Sequence, residues 1–261
     1  MNWITMNKRY LILILAIVVL LSSCNKRTQL LYINNISNEN LKTPNIPQYT
    51  LKPGDVLYIQ IITQDPTVSS LFNNRGMGGS MQSTMFGNES GNYLYGYSVS
   101  DSGYIQLPVL GKLKIAEMTI NQCREAIQQK TEKYLTDGIA VVKLLSYKVT
   151  ILGEVKRPGV FTNLKDNLTI FEGLGFAGDL TDYAQRTNVL LLRQTPEGVK
   201  TIRVNLQDKN LLFSEAYYLI PNDILVVEPR KGKLFSMNSP NIAIYLSIVS
   251  TTLLLINYLM K

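Results

Sequence analysis

Tyr49-Thr50-Leu51-Lys52-Pro53-Gly54-Asp55-Val56-Leu57 and Tyr217-Tyr218-Leu219-Ile220-Pro221-Asn222-Asp223-Ile224-Leu225 are two spellings of one phrase, Y-x-L-x-P-[GN]-D-[VI]-L, 168 positions apart. Proline presets φ at the entry of a turn, Gly or Asn accepts a positive φ, and Asp bonds to nearby backbone. The alternating residues that follow, Val56 to Ile61 in the first copy, read as a strand. Pro53, Gly54, Asp55, Pro221 and Asp223 are therefore turn residues with structural duties. Two copies so far apart imply one turn-and-strand device used in two domains.

Outward from the first copy, residues 49–146 form one unit. Asp101-Ser102-Gly103 turns the chain into a strand over Tyr104–Val109 that ends by Gly111. Thr119 and Gln122 have capping-box spacing and open a helix to about Leu135, with Ile120, Cys123, Ile127, Thr131 and Tyr134 at helical intervals. Cys123 on that apolar face reads as a small core residue. Ile139–Leu145 reads as a buried strand. Residues 73–92 are rich in Gly, Asn, Ser and Met with no period, which reads as a loop; Arg75-Gly76-Met77-Gly78-Gly79-Ser80 lacks the Gly-Lys-Ser/Thr ending of a phosphate cradle.

A second unit, 147–230, begins with Val149-Thr150-Ile151-Leu152-Gly153-Glu154-Val155-Lys156-Arg157-Pro158-Gly159-Val160-Phe161: strand, Pro158-Gly159 turn, strand. A short helix over Leu168–Ala177 follows. Strands over Asn188–Gln194 and Thr201–Leu206 come next, joined at Pro196-Glu197-Gly198. This order suggests a small sheet gripping one helix. Gly173-Leu174-Gly175-Phe176-Ala177-Gly178 is a literal G-x-G-x-x-G, but it follows a helical pattern and precedes Asp179-Leu180-Thr181-Asp182, so it has neither the strand before nor the helix after that a pyrophosphate site needs. Its glycines end a helix and permit close packing. Asp179 and Asp182 are expected to serve as helix caps in that loop.

The two ends are unlike the middle. Lys8 and Arg9 precede an apolar run from Leu11 to Leu21, then Ser22-Ser23-Cys24, with translation open to start at Met1 or Met6. This layout of a secretory signal resembles the lipobox of bacterial lipoproteins, which implies removal of residues 1–23 and acylation of Cys24. Residues 24–48 are polar, rich in Asn and carry Pro44 and Pro47, which reads as a lipidated tether. At the other end, in segment 240–261, no charge interrupts Asn241–Met260. Twenty residues match the roughly 30 Å of a bilayer core. At about 100° per residue, Ala243, Ser247, Ser250, Thr251 and Asn257 share one arc with Leu254, and the opposite arc is apolar. The expected element is an amphipathic transmembrane helix with that stripe facing a lumen.

Composition narrows the chemistry. The chain has 261 residues and no histidine, which removes the commonest general base, the usual nucleophile triads and the usual zinc ligand. No catalytic constellation, cofactor site or metal site is expected. After loss of the signal, 24 Lys and Arg face 19 Asp and Glu, a mature charge of +5. No Lys/Arg run carries interleaved aromatics, so nucleic acid is not expected as a partner. With Cys24 acylated, Cys123 stands alone.

Taken in order, Cys24, YTLKPGDVL, Gly103-Tyr104-Ile105 with its following helix, ILGEVKRPGVF, GLGFAGDLTDYAQRTNVLLLR and YYLIPNDILVVEP resemble the outer-membrane polysaccharide export lipoproteins of the Wza type. The resemblance runs over nearly the whole mature chain and is weakest at 62–98. It implies an α+β chain: a polysaccharide-export domain, one soluble-ligand-binding β-grasp (SLBB) domain, and a C-terminal helix that joins its copies in a barrel through the outer membrane. It further implies a ring-shaped homo-oligomer, often an octamer, a polysaccharide cargo, a periplasmic bulk and an inner-membrane co-polymerase as partner. Longer members carry more β-grasp units, so a shorter periplasmic cavity is expected here. A different class, a periplasmic glycan-binding or adaptor lipoprotein whose last helix is only an anchor, fits the same residues; a carbohydrate-active enzyme is a third.

Overall fold

The computed structural model describes residues 31–34, 44, 46–73, 96–233 and 242–259. Cys24 and all but Asn73 of the 73–92 loop lie outside the described residues.

The first phrase feeds β1 (Val56–Ile62), the central strand of a three-stranded sheet. It pairs antiparallel with β2 (Tyr97–Ser98) on one side and β5 (Ile139–Leu144) on the other. Between them come helix α1 (Pro66–Phe72), the hairpin of β3 (Tyr104–Leu107) with β4 (Gly111–Lys114), and helix α2 (Ile120–Thr131). Leu57, Ile59 and Ile61 alternate inward from β1 and meet Ile105, Ile115, Cys123 and Ile127 in one core. Thr119 and Gln122 form the expected reciprocal cap of α2. The helix stops at Thr131, short of Leu135, where the N–H groups of Lys133 and Tyr134 bond three residues back, to the Lys130 and Thr131 carbonyls, and tighten the last turn.

The second phrase feeds β12 (Ile224–Pro229), which is again central: the five-stranded sheet runs β10-β9-β12-β6-β7. Its members are β6 (Lys148–Gly153), β7 (Gly159–Thr162), β9 (Ala184–Thr195) and β10 (Gly198–Val204). Only β12 and β6 are parallel, and a parallel pair needs a crossover between its strands. That crossover carries α3 (Ile170–Phe176) onto one face, where Ile170 and Leu174 pack with Ile151, Leu191 and Leu225. A two-residue ladder of β8 (Leu168–Thr169) with β11 (Tyr218–Leu219) closes the open end. The sheet gripping one helix expected from the sequence is present, with β9 longer than expected and α3 shorter.

The two phrases fold alike down to single bonds. In each, the Asp N–H donates at 3.1 Å to the carbonyl three residues back, Lys52 or Ile220, and the residue before the Asp has positive φ, +87° at Gly54 and +68° at Asn222. Proline at the second position with positive φ at the third is a type II turn. Both carboxylates also accept the backbone N–H three residues back, from Lys52 and from Ile220, at 2.8 Å.

Three features differ from expectation. Helix α1 went unread, although Asp65-Pro66-Thr67 carries its start: the Asp65 carboxylate accepts the Thr67 N–H at 2.7 Å and Pro66 takes the first turn. Asn73, assigned to the loop, is instead fixed by bonds to both the N–H and carbonyl of Ile61 at 2.8 Å. The tether is also not wholly free, since Ile33 and Asn34 donate backbone N–H groups to the carbonyls of Leu206 and Gln207.

Thr169 and Glu172 close a second capping box at α3. The Thr169 backbone N–H, with help from Lys165, holds the Glu172 carboxyl below its ordinary value of 4.5. A depressed carboxyl contributes stability that is complete above the unfolded value and fades as pH falls through the folded one. Acid titration of the native protein should therefore show a loss of second-domain stability below about pH 4.5, and Glu172→Gln should flatten it.

Candidate functional site

No other described element packs extensively on helix α4 (Ile242–Leu259). Its described apolar side chains are all exposed, from Ile244 at 51% to Tyr258 at 81%. Among the described residues no helix is long and apolar enough to cross a membrane; α4 has 18 residues, about 27 Å. Ser247, Ser250 and Thr251 lie on it in the expected order, whereas the side chains of Ala243 and Asn257 lie outside the described residues. The hydroxyls bond to the helix itself: Ser247 to the Ile244 carbonyl at 2.8 Å, and Ser250 and Thr251 to the Ser247 carbonyl at 2.9 and 2.7 Å. Thr252 does the same toward Ile248 and Val249. Each hydroxyl hydrogen is thus satisfied without an outside partner.

The chain reaches α4 from a clamped exit. Glu154, just after β6, is 7% exposed. It accepts the Thr181 hydroxyl at 2.6 Å and pairs with the Lys233 ammonium. Burial pushes its carboxyl up, but the bonds from Lys233 and Thr181 bring it below its ordinary value. The Arg230 N–H donates to the Tyr183 carbonyl at 2.7 Å and its guanidinium reaches the Asp182 carbonyl. Two stretches far apart in the sequence, Gly153-Glu154-Val155 and Leu180-Thr181-Asp182-Tyr183, therefore meet at the exit. The pairing went unread because nothing in either phrase points to Lys233.

Below the exit, Asp223 is almost fully buried and holds Arg193 from β9 in a fork, Nε to Oδ1 at 3.1 Å and Nη2 to Oδ2 at 2.7 Å. Arg193 also donates to the carbonyls of Glu215 and Tyr218 at 2.9 Å. Burial pushes the Asp223 carboxyl up against the pull of Arg193. In the first domain Asp55 takes lighter partners, the Tyr49 hydroxyl at 2.9 Å and the Ser146 hydroxyl at 3.1 Å. Pro158 and Gly159 open β7. Both turns organise sheets and neither presents a reactive group.

The glycine-rich phrase has no cradle. Gly173 faces Leu219 and Ile151, where a Cβ would meet the Leu219 side chain at 2.8 Å, and Gly178 follows the helix end with φ +73°. Asp179 corrects an expectation: it caps no helix but sits at φ +75° and accepts the Leu180 N–H at 2.7 Å and the Tyr32 hydroxyl. Asp182 accepts the Arg230 guanidinium on its backbone carbonyl.

A cleft of about 770 Å³ lies between the domains, with Tyr49, Arg124 and Gln128 on one wall and Lys165 and Asn167 on the other. Lys143 and Asp166 bridge it at 2.9 Å. Among the described residues no cluster of His, Cys, Asp or Glu could hold a metal. Cys123 is fully buried and its thiol is pushed up to about 12 by burial. Protein extracted from the envelope should leave a thiol reagent uncoloured at pH 8. In denaturant, one reactive thiol per chain indicates a blocked Cys24, and two would contradict acylation.

Comparison with known proteins places this geometry. The family described as polysaccharide biosynthesis/export protein matches residues 43–145, and the SLBB domain matches 148–205. The chain is 30% identical over 211 residues to the EPS I polysaccharide export outer membrane protein EpsA of Ralstonia nicotianae, covering 71% of this chain and 54% of that one. The protein of the same description from Ralstonia solanacearum is 34% identical over 88 residues, 33% of this chain and 23% of that one. The chain thus spans about half the length of the first relative and less of the second. The two domains match in the order the fold presents them, residues 43–145 to the polysaccharide biosynthesis/export family and residues 148–205 to the SLBB domain, and in that order the chain is similar to polysaccharide export proteins.

Proposed function

We propose that this chain carries a capsular or exopolysaccharide across the outer membrane, acting by passage and not by catalysis. Copies assemble as a ring, an octamer in the simplest case. Each is anchored by acylated Cys24 with its two domains in the periplasm, and the α4 helices join as a barrel around a lumen. The carrying observation is the exposure of α4 among the described residues: a run of Ile, Leu, Val and Tyr side chains exposed by half or more is unstable in water. Lipid on one face and neighbouring helices on the others would cover it. The uncharged stretch runs from Asn241 to Met260, longer than the described helix by one residue at each end.

In a barrel, Ser247, Ser250 and Thr251, with Ala243 and Asn257 by sequence, line the passage. Because their hydrogens are already bonded to the helix, the hydroxyls offer acceptors to a hydrated sugar chain without gripping it. No step uses a cofactor, and energy comes from polymer synthesis, delivered through an inner-membrane co-polymerase. Export of polymer to the cell surface tests this. A null strain complemented with the full chain should export, a chain ending at Arg230 should not, and Ser250→Leu with Thr251→Leu should reduce export while leaving anchoring intact. Export by the truncated chain would refute the channel.

The self-satisfied hydroxyls also favour a second reading. A helix whose polar groups need no outside partner can sit alone in lipid, as the anchor of a periplasmic glycan-binding adaptor. Unaltered export by the Ser250→Leu, Thr251→Leu chain would favour it.

A further inference from the structure

Residues Leu31–Asn34 occupy a groove on the second domain. The Ile33 and Asn34 N–H groups donate to the carbonyls of Leu206 and Gln207 at 3.0 and 3.1 Å, and the Gln207 side chain returns a bond to the Leu31 carbonyl at 3.2 Å. Tyr32 is the plug. Its ring meets Phe171 edge-on at 5.6 Å, the Arg186 guanidinium lies 5.7 Å over its face, and its hydroxyl donates to Asp179. Arg186 is 7% exposed, and its Nε and Nη1 have no hydrogen-bond partner among the described residues. The ring of Tyr32 thus lies against a buried cation. Ile33 has φ +40°, a conformation that a β-branched residue adopts only under strain.

We propose that this groove is a peptide-binding site whose occupant is the chain's own N-terminal segment, and that it ties the lipid attachment to the same domain that carries α4. Cys24 lies seven residues before Leu31 and Ile242 nine residues after Lys233, reaches of at most about 25 and 32 Å. Both attachments therefore leave one body, and the strap limits how far the second domain stands from the membrane surface. Tyr32 is a positioning residue, and Asp179, Phe171 and Arg186 are its socket. The role of the strap, though not the groove itself, rests on the proposed acylation of Cys24.

The test is a cysteine pair, Asn34→Cys with Gln207→Cys, in the full chain in its own membrane, oxidised and mapped by mass spectrometry. The backbone bond between these residues brings them within disulfide range. The expected result is an intrachain link, formed roughly tenfold or more slowly when Tyr32→Ala is added, from loss of a ring contact and a charged hydrogen bond. Ile33→Asn, which removes the strain, should speed the link. Interchain links would overturn own-chain occupancy, and no link, or a rate indifferent to Tyr32→Ala, would overturn the groove. The mass of the N-terminal peptide reports acylation separately: an intrachain link on an unacylated chain would keep the groove and overturn the lipid-tethering role.

Discussion

Gly153→Ala should lower the melting temperature of the second domain by at least about 10 °C. Gly153 sits at φ +89° where β6 leaves the sheet, and a Cβ there would lie 2.1 Å from the Val227 carbonyl oxygen and 3.2 Å from its nitrogen. Val227 is its ladder partner on β12, so relief would mean parting the parallel pair that joins the two halves of the domain. The left-handed backbone costs about 1–2 kcal/mol for any residue but Gly, and overpacking about 1–3 more. At about 4–8 °C per kcal/mol for a domain of this size, calorimetry would read the loss directly. Gly175→Ala is the control: nothing lies within 4 Å of its Cβ and it is inside α3, so the change should be neutral or stabilising by about 0.5–1 kcal/mol. A fall in stability at Gly175 as large as at Gly153 would mean that the glycine-rich phrase has a duty the packing does not reveal.

The second large effect is expected at Arg193. Arg193→Met should destabilise by about 3–5 kcal/mol, because it leaves the Asp223 carboxylate buried without its counter-ion. It also strips the Glu215 and Tyr218 carbonyls of their donor. Arg193→Lys should recover only part, since an ammonium cannot serve the fork and both carbonyls at once. Adding Asp223→Leu to Arg193→Met should restore some stability, as the orphan charge goes with the arginine. Denaturant titration of the single and double variants gives the coupling. By contrast, Lys200→Ala breaks a pair with Glu215 whose side chains are about half exposed, and it should cost less than about 1 kcal/mol. Equal losses at Arg193 and Lys200 would contradict the view that burial decides the worth of these pairs.

What could be read from the sequence followed local rules. The Pro-Gly-Asp and Pro-Asn-Asp turns, the Thr119 and Gln122 cap and the rejection of Gly173 to Gly178 as a nucleotide cradle each rest on residues within a few positions of one another. The partners of those residues were not legible. Asp223 was readable as a turn residue, but its hold on Arg193 spans 30 positions and emerges only when β9 is laid beside β12. Glu154 meets Lys233 across 79 positions and Tyr32 meets Asp179 across 147; no periodicity connects them. Helix α1 was missed for another reason: with seven residues and only Phe72 buried, its apolar pattern is too short to declare a period, and the Asp65-Pro66 start was the one usable signal. On α4 the spacing of Ser247, Ser250 and Thr251 could be read from the sequence, but not the bonding of their hydroxyls back to the helix carbonyls, which depends on side-chain rotamers.

The barrel proposed for copies of α4 is tested by the mass and shape of the full chain extracted in detergent. Mass photometry with electron-microscope class averages should be run beside a chain ending at Arg230. A closed ring with an axial protrusion, absent from the shortened chain, is the expected result. A monodisperse monomer in both forms would contradict it.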